Sequence, residues 1–446
     1  MLCKKTLLFA IVCGYHATVF ATIHNLPMVV VANTIPAIAY HPINQYRFFR
    51  SNEKGEAIVI PYQMDEKDKY DDFVLTNGPH PNTLYGNGIF DGKDELSFMG
   101  NDIGPVKVPT DWSKVGAPSV LYELHVQQKQ KSGNAVEGAI YAGLYFQNPP
   151  ALSPIRYVNF YEKDGEVITS RYRYRFSPQN YLVVRGVDVT HPSYGTLNLI
   201  QSSTFYLKAD LKWFFTFNLN QTDIHSNMDA FKVGPVRTIA RVNFDYVFLK
   251  LNFDLDMYTE VSFFSNSVLL PAVIDNPLDG NKTLNQGSEF YYGLSLFQNP
   301  DVMQLDANLP PYHGQTPFKS FVNAKTNLYW LSAESSNYLI YLEFSPSPQM
   351  LASNNLPFFY IDKKSARDLQ TRPQTALPLG ESPVNMAIGF DLRNFSAGLH
   401  LVRFRLFIDT VHDQQLIEDY KHVDDWQVMA KKISVESWNV GTKSKG

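Results

Sequence analysis

The sequence predicts an all-β protein: an antiparallel β-sandwich or supersandwich with a small amino-terminal β domain and one carboxy-terminal helix. Three observations predict it. Apolar and polar residues alternate with period two in several runs, Asn-Gly and Asp-Gly dipeptides punctuate those runs, and a single late segment has helical spacing. The 446 residues are 44% apolar, 14% aromatic and 18% charged, a globular composition that excludes a disordered or collagen-like chain.

At the amino terminus, Lys4 and Lys5 precede an apolar run beginning at Thr6 to Val12, and Val19-Phe20-Ala21 supplies small residues at cleavage spacing. Residues 1–21 are therefore expected to be a signal peptide, with the mature chain starting near Thr22 and working in the periplasm or outside the cell. A lipoprotein acylated at Cys13 is the rival reading, and Val12 fits it poorly. Both cysteines, Cys3 and Cys13, fall within the leader, so the mature chain would be cysteine-free and a disulfide scaffold is excluded. Removing Lys4 and Lys5 moves the formal charge from −4 to −6, which favours neither nucleic acid nor anionic lipid. No later run of roughly 18 uncharged apolar residues exists, so no transmembrane helix is expected. A membrane β-barrel would close on an aromatic-ended strand, whereas this chain ends Lys443-Ser444-Lys445-Gly446.

Pro105, Pro109, Gly116 and Pro118 mark a boundary between a small acidic β domain, residues 22–115, and a large antiparallel sandwich domain, residues 116–446. Within the latter, Val236 to Val242, Leu249 to Met257 and Val402 to Ile408 alternate as strands with one wet face, the first around Arg237 and Arg241. Asn77-Gly78, Asn87-Gly88, Asp91-Gly92, Asp164-Gly165 and Asp279-Gly280 suit tight hairpins. Leu416, Ile417, Tyr420, Val423, Trp426 and Met429 share a helical stripe, predicting a helix over about residues 412–433. One near-repeat links Phe146-Gln147-Asn148-Pro149 to Phe297-Gln298-Asn299-Pro300.

The most distinctive local sequence is Ile60-Pro61-Tyr62-Gln63-Met64-Asp65-Glu66, followed by Asp91-Gly92-Lys93-Asp94-Glu95-Leu96-Ser97-Phe98-Met99. It resembles a signature of exported bacterial β-sandwich proteins, over about residues 55–105. Gly234-Pro235-Val236-Arg237-Thr238 is similar to a strand of the supersandwich domains of carbohydrate-active proteins, mutarotase-like and polysaccharide-lyase-like. These resemblances imply a sugar-related role and carry over no catalytic residue.

Two candidate sites follow from residue types. Asn87, Asp91 and Asp94 resemble the later half of a calcium loop. Thr83 and Tyr85 replace the early carboxylates, so any hard cation needs further oxygen donors, and simple turns are the alternative. Arg171, Arg173 and Arg175 alternate with Tyr172, Tyr174 and Phe176, which puts three guanidinium groups on one strand face. Their spacing of about 7 Å suits an extended acidic polysaccharide, while acidic partners on neighbouring strands are the structural alternative. The chain lacks the zinc-protease, nucleophile-elbow, Walker and Rossmann signatures. The expected function is an exported carbohydrate-binding or polysaccharide-processing protein; the alternative is a non-enzymatic envelope or surface protein.

Overall fold

The computed structural model describes residues 26–437 apart from 130–134, 192, 194, 213–214, 221–222, 249–250, 277–278, 306–311, 313–317, 323–325, 353–355, 363–383, 411–413 and 435–436. The expected signal peptide lies outside the described residues. The fold is all-β, with five antiparallel sheets among the described residues.

Two large sheets form the sandwich. The ten-stranded sheet runs from Val158–Tyr161 through Glu166–Thr169, Tyr172–Ser177, Asn180–His191 and Gly195–Leu211 to Glu289–Leu296, Met386–Asp391, Pro357–Ile361 and Phe318–Phe321; Phe215–Asn220 branches from Gly195–Leu211. The eight-stranded sheet runs Ile224–Val233, Thr238–Phe248, Leu251–Phe263, Ser267–Asn276, Gly398–Asp409, Tyr338–Ser345, Tyr329–Ser335, Val302–Leu305. Period-two alternation sends Val187, Val189, Leu294 and Ile388 of the first sheet against Ala240, Val261, Leu342 and Phe404 of the second, in one continuous core. Val402, Phe404, Leu406 and Ile408 point inward as the sequence predicts. The strand Leu251–Phe263 exists, but the side chains of residues 249–257 are not among those described.

A second, smaller core lies between a three-stranded sheet, Pro27–Val31, Glu95–Met99 and Gln63–Asp65, and a five-stranded one. The latter orders Gln427–Lys432, Val120–Lys129, Ala135–Leu144, Tyr46–Ser51 and Ala57–Val59. Strands from both sides of the expected boundary at residues 115/116 therefore share one sheet, and the end of the chain supplies its edge.

That edge also shortens the carboxy-terminal helix. It spans Gln414–Lys421, and Gln427–Lys432 is a strand paired with Val120–Lys129. Ile417, Tyr420 and Val423 do pack on the outer face of the eight-stranded sheet, where the Tyr420 ring stacks on Phe407 at 4.1 Å. The rest of the helical stripe, Trp426 and Met429, belongs to the turn and the strand. A period near 3.6 is easily imitated over so few residues, and strand pairing decides the outcome. Asp279-Gly280 likewise departs from the hairpin expectation: Asp279 caps the short helix Gly280–Thr283 by accepting from the Asn281 N–H. The other four glycines of that set have positive φ, between 53° and 104°.

Candidate functional site

Arg173 and Arg175 lie on the outward face of the ten-stranded sheet, while Arg171, just before the strand Tyr172–Ser177, reaches instead to Asp409 on the outer face of the eight-stranded sheet. The intervening residues Tyr172, Tyr174 and Phe176 are buried in the core, as alternation requires. Across the strands the register aligns Tyr161, Glu166, Arg175 and Gly186 in one row, and Asn159, Ile168, Arg173, Asp188 and Asn198 in the next. Each guanidinium has a carboxylate partner. Arg173 Nε donates to Glu166, Arg175 Nη2 pairs with Asp188 Oδ2 at 2.7 Å, and Arg171 Nη1 reaches Asp409 Oδ1 at 3.5 Å. The row is thus charge-balanced rather than freely cationic, because neighbouring strands bring the acids with them. The guanidinium-bearing side chains remain 34%, 52% and 38% exposed for Arg171, Arg173 and Arg175. Arg175 lies over Gly186, whose φ is +145°; a Cβ there would come within 3.0 Å of Arg175 Nη2. The exposed ring of Tyr161 ends the first row.

Neighbouring strands lie about 4.8 Å apart and same-face residues about 7 Å apart along a strand, and the face shows the guanidinium groups while Glu166 and Asp188 are buried beneath them. An arginine has five N–H donors, and a carboxylate contact engages one or two of them, so the outward N–H groups are left for a ligand. The core side of the same strand helps line an apolar cavity of about 50 Å³, with Tyr174, Phe263, Tyr292 and Phe404.

A second polar cluster gathers the three motifs that carried the sequence resemblances. Gln63 and Asp65 come from the Pro-Tyr-Gln-Met-Asp strand, Glu95 from the following hairpin, and Arg237 from the Gly-Pro-Val-Arg segment. Arg237 was expected on a wet face and is 1% exposed, because the three-stranded sheet and residues 66–76 cover that face of the eight-stranded sheet. Its Nε and Nη2 reach Asp65 Oδ2 at 2.9 and 2.7 Å, and Nη2 reaches Glu95 Oε2 at 2.8 Å. Gln63 Nε2 donates to Asp65, while Gln63 Oε1 accepts the N–H groups of Val236 and Arg237 at 3.3 and 3.0 Å. Gly234 is required here, since a Cβ would sit 1.7 Å from Gln63 Oε1. Lys232 Nζ pairs with Asp65 Oδ1 at 2.8 Å, and Lys67 Nζ with Glu95 Oε1 at 3.1 Å. Burial alone would raise the Asp65 carboxyl, but Lys232 and Arg237 outweigh it and hold it at about 2. The cluster clamps one strand layer onto another.

The acidic hairpin is organised by its own side chains. Asp94 accepts the N–H groups of Lys67 and Asp91 at 2.7 and 3.0 Å, Asn87 Oδ1 accepts the Ile89 N–H at 2.7 Å, and Asn87 Nδ2 donates to Asp91 Oδ2 at 3.1 Å. These bonds lock turns. Burial pushes Asp94 up to about 6. Among the described residues no group of three or more His, Cys, Asp or Glu side chains is placed to hold a metal ion.

Sequence reading missed Glu166, Asp188 and Tyr161 on the arginine face, and Lys67 and Lys232 in the buried cluster. A signal for Lys232 existed: the Gly234-Pro235 turn joins Ile224–Val233 to Thr238–Phe248, which brings Lys232 and Arg237 close together. The partners on the arginine face depend on register, which spacing does not encode.

No protein-family model and no curated protein matches the chain. Its backbone overlaps in part with solved glycosidase structures. A protein in glycosyl hydrolase family 38 from Enterococcus faecalis matches at 9% identity and a TM-score of 0.44, over 92% of this chain and 46% of that one. An alpha-mannosidase from Enterococcus faecalis V583 matches at 7% identity and a TM-score of 0.44, over 92% and 44%. The gh92 family glycosyl hydrolase ccman5 matches at 8% identity and a TM-score of 0.28, over 64% and 33%. The chain spans less than half the length of each of these proteins, and overlap at this level transfers no activity.

Proposed function

We propose that the chain is an exported glycan-binding protein that lays an extended sugar chain across the outward face of strands Val158–Tyr161, Glu166–Thr169, Tyr172–Ser177 and Asn180–His191. The observation that supports this reading is the pair of partly exposed guanidinium groups of Arg173 and Arg175, held in place by the buried carboxylates of Glu166 and Asp188 and bordered by the Tyr161 ring. Sugar hydroxyls and ring oxygens accept from the outward guanidinium N–H groups, and an exposed aromatic ring offers a flat surface to a pyranose face. The charge balance favours these contacts over bulk attraction of a polyanion. Export is supported by the leader-like segment of residues 1–21. Binding is favoured over cleavage because the two carboxylates here are each already engaged by an arginine.

A glycan array followed by calorimetry with the strongest neutral and uronate-containing oligosaccharides tests this reading. Binding that is lost in Tyr161→Ala and Arg173→Ala, with no unsaturated uronate or reducing sugar released, supports it. No glycan bound by the wild type, or binding unchanged in both variants, overturns it.

A further inference from the structure

Two buried carboxylates outside the Asp65–Arg237 cluster hold the amino-terminal strands on the sandwich. Glu260, on the outward face of Leu251–Phe263, is 9% exposed and accepts the Phe73 N–H at 3.1 Å. Arg241 on the neighbouring strand pairs with Glu260 at 2.7 Å and donates to the Phe73 carbonyl at 3.1 Å. Both backbone polar groups of residue 73 are thus gripped by one Arg–Glu pair. Lys67 and Arg237 lie over the Phe73 ring at 4.6 and 4.9 Å, and Tyr258 donates to Asp72. The charged and titratable groups facing Glu260 are therefore Arg241, Asp72, Tyr258 and Lys67. The second carboxylate, Asp102, is 5% exposed and accepts from the Tyr157 hydroxyl at 2.8 Å; its Oδ2 makes no hydrogen bond of normal geometry. Tyr157 is itself fixed to the sandwich by its N–H to Pro235 at 2.7 Å, and Arg50 is the charged group facing Asp102.

We propose that docking of the amino-terminal strands onto the eight-stranded sheet is proton-linked, tightest in mildly acidic medium and looser above neutrality, with Glu260 and Asp102 taking up the protons. Both carboxyls have lost their water. Glu260 keeps one close cationic partner and Asp102 a neutral phenol, which do not offset that loss. Burial accordingly pushes Glu260 up to about 7, against Arg241, and Asp102 up to about 6, against the Tyr157 hydrogen bond. Undocked, both regain water and return to the ordinary carboxylate range. The docked state therefore holds protons more tightly, and its advantage is full below about pH 4 and lost as pH rises through about 6 to 7. Asp65 runs the other way: held at about 2, it weakens docking only as pH falls below the ordinary carboxylate range. Together the two directions place the tightest docking between about pH 4 and 6.

Hydrogen exchange of the full chain, read by mass spectrometry and corrected for intrinsic rates, tests this. Protection of segment 72–76, which holds the Phe73 N–H bound by Glu260 and excludes the Lys67 N–H bound by Asp94, should fall about tenfold or more between about pH 5.5 and 8 in the wild type, while core peptides keep theirs. The double variant Glu260→Gln with Asp102→Asn should abolish most of that pH dependence, since amides keep the hydrogen bonds and cannot titrate. Wild-type protection that is flat or rises over this range overturns the proposal even if the double variant fails to fold. A double variant that folds and retains the wild-type slope also overturns it.

Discussion

Replacing Arg237 by Met isolates the electrostatics of the buried clamp, because Met keeps most of the aliphatic stem against Phe73 and Phe264 and removes only the guanidinium. What is lost is two contacts to Asp65 and one to Glu95, in surroundings where Asp65 and Arg237 are each 1% exposed. Asp65 sits at about 2 against an ordinary 3.8, a difference on the order of 2 kcal/mol of stability at neutral pH that Arg237 shares with Lys232. The stranded Glu95 carboxylate, left with Lys67, adds to the loss. Breaking a buried pair from one side costs about 3–5 kcal/mol, so Arg237→Met should lie near the lower end, about 3 kcal/mol. The sign also fixes a pH dependence. A carboxylate whose folded value is depressed stabilises above its unfolded value, and that stabilisation is lost as pH falls toward about 2. The difference between wild type and variant should therefore be largest near neutrality and shrink below about pH 4. Urea unfolding at matched pH values measures it. A loss under about 1 kcal/mol at neutral pH, or one of equal size at low pH, would refute the reasoning.

Gly234→Ala should destabilise by about 2 kcal/mol or more, since its Cβ would overlap Gln63 Oε1 at 1.7 Å; thermal unfolding reads this, and a shift of under a degree counts against it. Arg173→Ala should cost no more than about 0.5 kcal/mol because the side chain is 52% exposed, yet weaken glycan binding about tenfold; calorimetry beside thermal unfolding separates the two effects. Raising salt should weaken that binding only slightly, since the guanidinium groups are already paired. Asp94→Ala should lower stability by about 1 kcal/mol or more, equally with and without calcium, because its oxygens hold backbone N–H groups; a loss confined to calcium-containing buffer would mark a cation site instead.

The fold class was legible because alternation is a local property. Val402 to Ile408 and Arg171 to Phe176 each declare two faces, and the structure turns the apolar set of each into the core as written; the polar face of the first is covered as well, with Arg405 6% exposed and paired with Glu343 and Asp424. What a wet face meets is not local. Arg237 and Arg241 alternate with Thr238, Ala240 and Val242 in the way of a solvated surface, and only the arrival of segment 60–76, about 170 residues earlier in the chain, turns that surface into an interior. The same holds for Arg173 and Arg175, whose carboxylates come from the two adjacent strands, and for Arg171, whose partner Asp409 belongs to the other sheet of the sandwich. The helix was overdrawn for a related reason: Trp426 and Met429 continue a helical spacing, yet the chain needs residues 427–432 as an edge strand beside Val120–Lys129.

The buried clamp also explains why the motifs that stand out most in the sequence are not those of an open site. Apolar residues of similar volume would join the two layers with equal or greater stability, because desolvating Asp65, Glu95, Arg237 and Lys232 consumes much of what their attraction returns. An apolar seam would, however, tolerate sliding by a two-residue repeat, which keeps the same face of the three-stranded sheet against the sandwich. The charged set does not tolerate it. Gln63 must meet the N–H groups of Val236 and Arg237, Asp65 must lie between Lys232 and Arg237, and Gly234 must clear the Gln63 amide. Each condition fails on such a shift, so the cluster specifies the docked register where hydrophobic burial alone would specify only contact. A triple variant with Asp65→Leu, Glu95→Leu and Arg237→Met separates the two roles. It should keep most of the stability that Arg237→Met alone loses, while the fixed docking of residues 60–65 gives way to several registers, read as loss of amide protection at positions 236 and 237, whose N–H groups donate to Gln63. A triple variant with wild-type protection there would show that packing, rather than the ion pairs, sets the register.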